Sequence, residues 1–180
     1  FVTTFSHDLY KATGKQLIDS FIQTNDQHKL LCCYEGFQLN QDKVCLQKYN
    51  LSYNKSLEQF LEANKDIIPD YMGGYAKHCN CKDWHVRHSK YHKKGCHYHW
   101  MNRNASRWFR KVIALDYALH EYSSQSPYLI WVDSDCQFLK TVPLELIKTL
   151  SKHHDHDIAF VYCKGIKREA IEAGVMIFNL

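Results

Sequence analysis

Five apolar residues, Tyr128–Val132 (YLIWV), lead without a break into Asp133-Ser134-Asp135. A run of that length, rich in β-branched and aromatic side chains, is strand-sized. A strand that is apolar on both faces must be covered on both faces, as in a parallel sheet between helices. The rest of the chain repeats the theme. Residues 1–6 (FVTTFS), 30–34 (LLCCY) and 158–162 read as strands, 44–49 alternates like a half-exposed strand, and 175–179 is a last one. Between them lie helical patterns. Residues 11–24 carry Leu17, Ile18, Phe21 and Ile22 on one stripe, and 56–64 begins at Ser56 as cap, with Leu57, Phe60 and Leu61 on one face. A longer helix over 105–122 places Trp108, Val112, Leu115, Leu119 and Tyr122 at core spacing, and 144–150 follows Pro143. Strands alternating with helices predict an α/β fold, an α/β/α sandwich with a mostly parallel central sheet.

The 180 residues suit a single domain, and 45% hydrophobic with 23% charged residues excludes a chain that is disordered throughout. Eight cysteines are too few for a scaffold built on disulfides at this length. No window reaches the roughly 20 apolar residues that span a bilayer. No secretory leader is visible, so the expected location is the cytoplasm. Residues 1–5 already read as a strand and 175–180 as core, so residues 1–180 are expected to be one catalytic domain cut at both ends.

The net charge of +4 is unevenly spread. Residues 77–111 hold ten Lys and Arg against the single acid Asp83, and six of the twelve histidines. That asymmetry points to an anionic partner, with nucleotide phosphates and nucleic acid both open.

In open α/β sheets ligands bind outside the carboxyl ends of the strands. Asp133 and Asp135 stand where the strongest strand ends, and in extended chain residues i and i+2 point to one side. Two converging carboxylates call for a divalent cation, and hard oxygen ligands favour Mg²⁺ or Mn²⁺ over Zn²⁺. The competing reading is a plain polar turn after a strand.

The same residues carry a family resemblance. FVTTFS, ASRWFRKVIALDYAL, YLIWVDSDCQF and EAGVMIFNL, in that order, resemble nucleotide-sugar glycosyltransferases of the GT-A fold with a DxD motif. The resemblance covers most of the chain except residues 70–103. It implies a Rossmann-type sandwich and a metal-dependent transfer of a sugar from a nucleotide diphosphate, a uridine diphosphate sugar by analogy, to a glycan, protein or lipid acceptor. Carried over by position, Thr4, Phe5 and Ser6 would lie beside base and ribose. Arg107 and Lys111, one helical turn apart, would meet the diphosphate or the sugar. Asp133 would touch ribose and metal, Ser134 would line the donor site, and Asp135 would be the main metal ligand. Glu172 and Gly174 would border sugar and acceptor, with Glu172 the candidate general base.

The insertion at about 77–103 adds Cys79, Cys81, Cys96 and His99, soft ligands suited to a structural zinc. Their spacing matches no standard zinc finger. A Cys79–Cys96 or Cys81–Cys96 disulfide and a solvated basic insertion stand beside the zinc reading. Cys32 and Cys33, inside an apolar run, read as core. Two other functions compete with glycosyl transfer. A nucleotidyltransferase would use the same Asp pair and cation. A nucleic-acid-binding module would use the basic, aromatic stretch 77–111.

Overall fold

The structure is a computed structural model that describes residues 1–64, 97–152, 158–162 and 171–180. These separate into two units, 1–52 with 113–180, and 53–112.

The first unit is built on a six-stranded sheet. Its strands are β1 (Val2–Ser6), β2 (Leu30–Glu35), β3 (Leu46–Asn50), β4 (Tyr128–Val132), β5 (Ile158–Tyr162) and β6 (Ile171–Asn179), in the spatial order β3-β2-β1-β4-β6-β5. β3, β2, β1 and β4 pair parallel, and β6 pairs antiparallel with both β4 and β5. Five strands therefore share one direction, and β6 alone opposes it. The α/β class and the mostly parallel sheet expected from the alternation are present.

Between β1 and β2 the chain is helical throughout: α1 (His7–Leu9), a wide π turn (Tyr10–Gly14) and α2 (Lys15–Thr24). It starts four residues earlier than the apolar spacing predicts, because the Ser6 hydroxyl accepts from the Leu9 amide at 3.4 Å and caps it. Leu17, Ile18 and Phe21 bury their stripe against alternate residues of the sheet: Phe5, Leu30, Cys32, Tyr34, Ile130, Val132 and Ile177. Ile147 of α5 (Leu144–Lys152) joins the same core. The other face of the sheet presents Val2, Leu31, Cys33, Leu129, Trp131 and Met176, all buried. There Tyr117, on α4 (His97–Tyr122), stacks on Tyr49 of β3 with ring centroids 3.6 Å apart. Gly36 ends β2 with φ of 79°, a left-handed conformation that favours glycine.

α4 turns a different face inward from the one the spacing predicts. Trp108 and Val112 are 47% and 56% exposed, whereas Arg110, Ile113, Ala114 and Ala118 are buried. Trp108 and Val112 are therefore not core residues. The buried positions include the small residues Ala114 and Ala118, which leave little hydrophobic signal in the sequence.

The second unit contains α3 (Lys55–Ala63) and the first part of α4. The α3 cap is Asn54, not Ser56. Its Oδ1 accepts from the Leu57 amide at 2.9 Å. Within this unit Phe60 and Phe109 stack at 3.9 Å. Among the described residues, no helix is long and apolar enough to cross a membrane.

Candidate site at the acidic turn

From β1 the sheet grows toward β2 and β3 on one side and toward β4 on the other. The strand order thus reverses between β1 and β4, the place where the carboxyl ends of an open sheet leave a crevice. Val2 is level with Trp131 across this pair. Beyond this pair, Thr4 and Phe5 continue β1 toward its carboxyl end, and Asp133 follows the end of β4. The antiparallel β6 closes the other side, with Val132 opposite Val175.

Asp133 is anchored through both its backbone and its side chain. Its amide donates to the Gly174 carbonyl at 2.8 Å, and its carbonyl accepts from the Cys136 amide at 3.0 Å. Its Oδ1 accepts from the indole Nε1 of Trp131 at 2.6 Å. Oδ2 faces the Gly174 backbone, 3.7 Å from where a Cβ would stand there. The bond from Cys136 back to Asp133 makes residues 133–136 a turn. The extended-chain argument for two carboxylates on one side therefore does not apply, because Asp135 lies inside the turn. Asp135 is exposed, and Ser134 is half-buried.

The other residues singled out by sequence are dispersed in role. Thr4 is half-buried, and Ser6 is the helix cap. The Phe5 ring is 2% exposed, inside the core and 5.6 Å from the Tyr10 ring, so only its backbone can face a ligand. Glu172 lies in β6, two residues before Gly174. Arg107 and Lys111 lie on α4 in the second unit, where Lys111 is half-buried. His99 also falls on α4, while Cys79, Cys81 and Cys96 lie outside the described residues.

Several supports of this site were not anticipated from sequence. Gln16 of α2 donates to Gln137 at 3.0 Å, and the Ser20 hydroxyl accepts from the Phe138 amide at 3.0 Å. Asn25, fully buried, accepts from the Val142 amide at 2.7 Å and donates to the Lys140 carbonyl at 3.2 Å. The loop after the acidic turn is thereby pinned to α2. Periodicity marks the buried stripe of α2 but names no partner more than a hundred positions away. The Trp131 bond was within reach: residues i and i+2 of a strand share a face, and a buried indole needs an acceptor.

Only Asp133 and Asp135 among the turn residues carry carboxylates, and among the described residues no group of three or more His, Cys, Asp or Glu gathers in metal-binding geometry. Comparison of the chain with family models, curated proteins and solved structures finds no match. The fold and the turn together define an α/β protein with an acidic turn at the reversal point of its sheet.

Proposed function

We propose that this chain is a metal-dependent glycosyltransferase of the GT-A kind, moving a sugar from a nucleotide diphosphate donor, a uridine diphosphate sugar by resemblance, to an acceptor hydroxyl. The observation that carries the reading is the position of Asp133-Ser134-Asp135. The turn stands at the carboxyl end of β4, beside the end of β1, where such sheets bind ligands.

The donor set fits the implied cation. Asp133 and Asp135 offer hard carboxylate oxygens on one short turn, and Mg²⁺ or Mn²⁺ is commonly bound by one or two carboxylates together with substrate phosphates. When bound, such an ion offsets the negative charge that grows on the departing diphosphate. The chain's own residues do the rest. Asp135, exposed at the tip of the turn, reaches toward solvent and the donor phosphates. Asp133, fixed by β6 and by Trp131, holds its carboxylate in one orientation before any ligand arrives, which removes an ordering cost from binding. The backbone of Thr4 and Phe5, near the carboxyl end of the neighbouring strand β1, supplies amides and carbonyls to a base or ribose. Glu172 and Gly174, opposite on β6, border the far side, with Glu172 in the role of base for the acceptor hydroxyl. This reading draws on the first unit alone.

The test is thermal melting with uridine diphosphate and Mn²⁺, with the nucleotide alone, and with chelator. Wild type gains about 2.7 kcal/mol when the ligand is a hundredfold above its dissociation constant. Asp135→Asn loses that metal-dependent gain while the ligand-free protein melts as before, since an exposed side chain changes stability by no more than about 0.5 kcal/mol. A full shift in Asp135→Asn reduces the turn to a structural feature and removes the main support of the reading.

A further inference from the structure

Trp131 stands out among the buried side chains. It is 1% exposed, next to the last residue of β4 and on the face opposite α2. Its one polar atom, a donor only, ends at 2.6 Å from Asp133 Oδ1. Hydrogen bonds to an ionised carboxylate are shorter and roughly twice as strong as neutral ones, and more so away from water. The backbone beneath the pair is fixed on both sides, because Trp131 is in register with Val2 of β1 and with Met176 of β6. The ring therefore cannot follow the carboxylate if it turns; the carboxylate must conform to the ring.

We infer that Trp131 is a positioning residue for the donor site: its buried indole N–H fixes the Asp133 carboxylate in the orientation that receives the cation and the nucleotide. The inference rests on the glycosyltransferase reading above and deepens it. Trp131 touches neither donor nor cation and acts only through Asp133. Partners that orient metal-binding groups typically change metal affinity 10- to 100-fold when lost.

The experiment is calorimetric titration of the whole chain with Mn²⁺ and uridine diphosphate, for wild type, Trp131→Phe, Asp133→Asn and the double variant. Trp131→Phe keeps an aromatic ring in the site and removes the N–H. We expect it to weaken Mn²⁺-dependent nucleotide binding about 10-fold or more, and to weaken it no further in the Asp133→Asn background. A merely structural role would lower affinity equally in both backgrounds. If Trp131→Phe does not fold, 3-benzothienylalanine at position 131, which replaces the N–H by sulfur at nearly constant shape, takes its place in the same cycle. A second readout needs no ligand. In ¹⁵N-indole spectra the Trp131 N–H resonance lies downfield in wild type and moves upfield in Asp133→Asn. Wild-type binding that Trp131→Phe leaves intact, or additive losses in the cycle, overturns the positioning role while the donor reading stands. Absence of any wild-type binding overturns the donor reading, and the positioning role with it.

Discussion

At the scale of single residues, Thr3 shows how much one buried polar atom can matter. It sits in β1, the strand paired with both β2 and β4, and is fully buried. Its hydroxyl has no hydrogen-bond partner among the described residues. An unsatisfied buried polar group costs about 1–3 kcal/mol, and a methyl of the same size removes that cost. Valine also suits a central strand. Thr3→Val is therefore expected to stabilise the protein by about 1 kcal/mol, read as a higher urea midpoint at unchanged slope. A lower midpoint would show that the hydroxyl has a partner worth keeping. Gly14 argues in the opposite direction. A Cβ there would stand 3.1 Å from Cδ1 of Phe5, whose ring is packed against Tyr10 and Phe37 and cannot retreat. Helix propensity favours alanine over glycine by about 1 kcal/mol, but overpacking a filled core costs about 1–3 kcal/mol. Sterics win, so Gly14→Ala should lower the melting temperature.

At the scale of elements, α4 shows where sequence reading succeeds and where it fails. Its existence was plain from the apolar spacing, but its rotation was not. Large residues at Trp108, Val112, Leu115 and Leu119 give the stronger periodic signal, yet the buried stripe runs through Arg110, Ile113, Ala114 and Ala118. Alanine adds little to a hydrophobic pattern, and a buried arginine subtracts from it. The observed face predicts that Trp108→Ala costs well under the roughly 3–5 kcal/mol of a core tryptophan. Ala118→Leu, at a fully buried site, should cost about 1–3 kcal/mol by overpacking. Denaturant titration of both variants distinguishes the two rotations, since the reverse ranking restores Trp108 to the core. The acidic turn was legible for a different reason. A strand apolar on both faces followed by Asp-Ser-Asp needs no partner to be recognised. The pins that hold the following loop, Ser20 and Asn25, were not legible, because they join residues 115 or more positions apart. The extended chain expected at Asp133 and Asp135 gives way to a turn for a local reason. The strand ends at Val132, and the bond from the Cys136 amide to the Asp133 carbonyl bends the chain there.

At the scale of the whole molecule, the sheet ties stability to pH through two adjacent thiols. Cys32 and Cys33 lie in β2 between β1 and β3, and both are fully buried. Burial pushes the Cys32 thiol up from 9.0 to about 12, and burial likewise raises the Cys33 thiol well above its ordinary value. Both are raised relative to the unfolded chain, so the folded state favours the protonated form. The stabilisation this gives is fully present below pH 9, where neither state ionises. It is lost as pH rises from about 9 toward 12, because the unfolded chain releases these protons first. Each thiol can steepen the loss by at most about 1.4 kcal/mol per pH unit, one proton's share. Tyr117 and Tyr122, raised by burial, and Lys15 and Lys148, raised by their carboxylate partners, act in the same direction, but from ordinary values of 10.0 and 10.5. The interval just above pH 9 therefore belongs mainly to the thiols. Urea midpoints of wild type should be level, as far as these groups are concerned, up to about pH 9 and then fall. Cys32→Ala should begin from a lower midpoint, since it leaves a small cavity, and fall less steeply between pH 9 and 10. Native protein should also shield both thiols from a disulfide reagent at pH 8, since the reactive species is the thiolate. Equal slopes for wild type and Cys32→Ala would show that the Cys32 thiol ionises as readily in the folded sheet as in the unfolded chain. A covered, tightly packed β2 does not permit that.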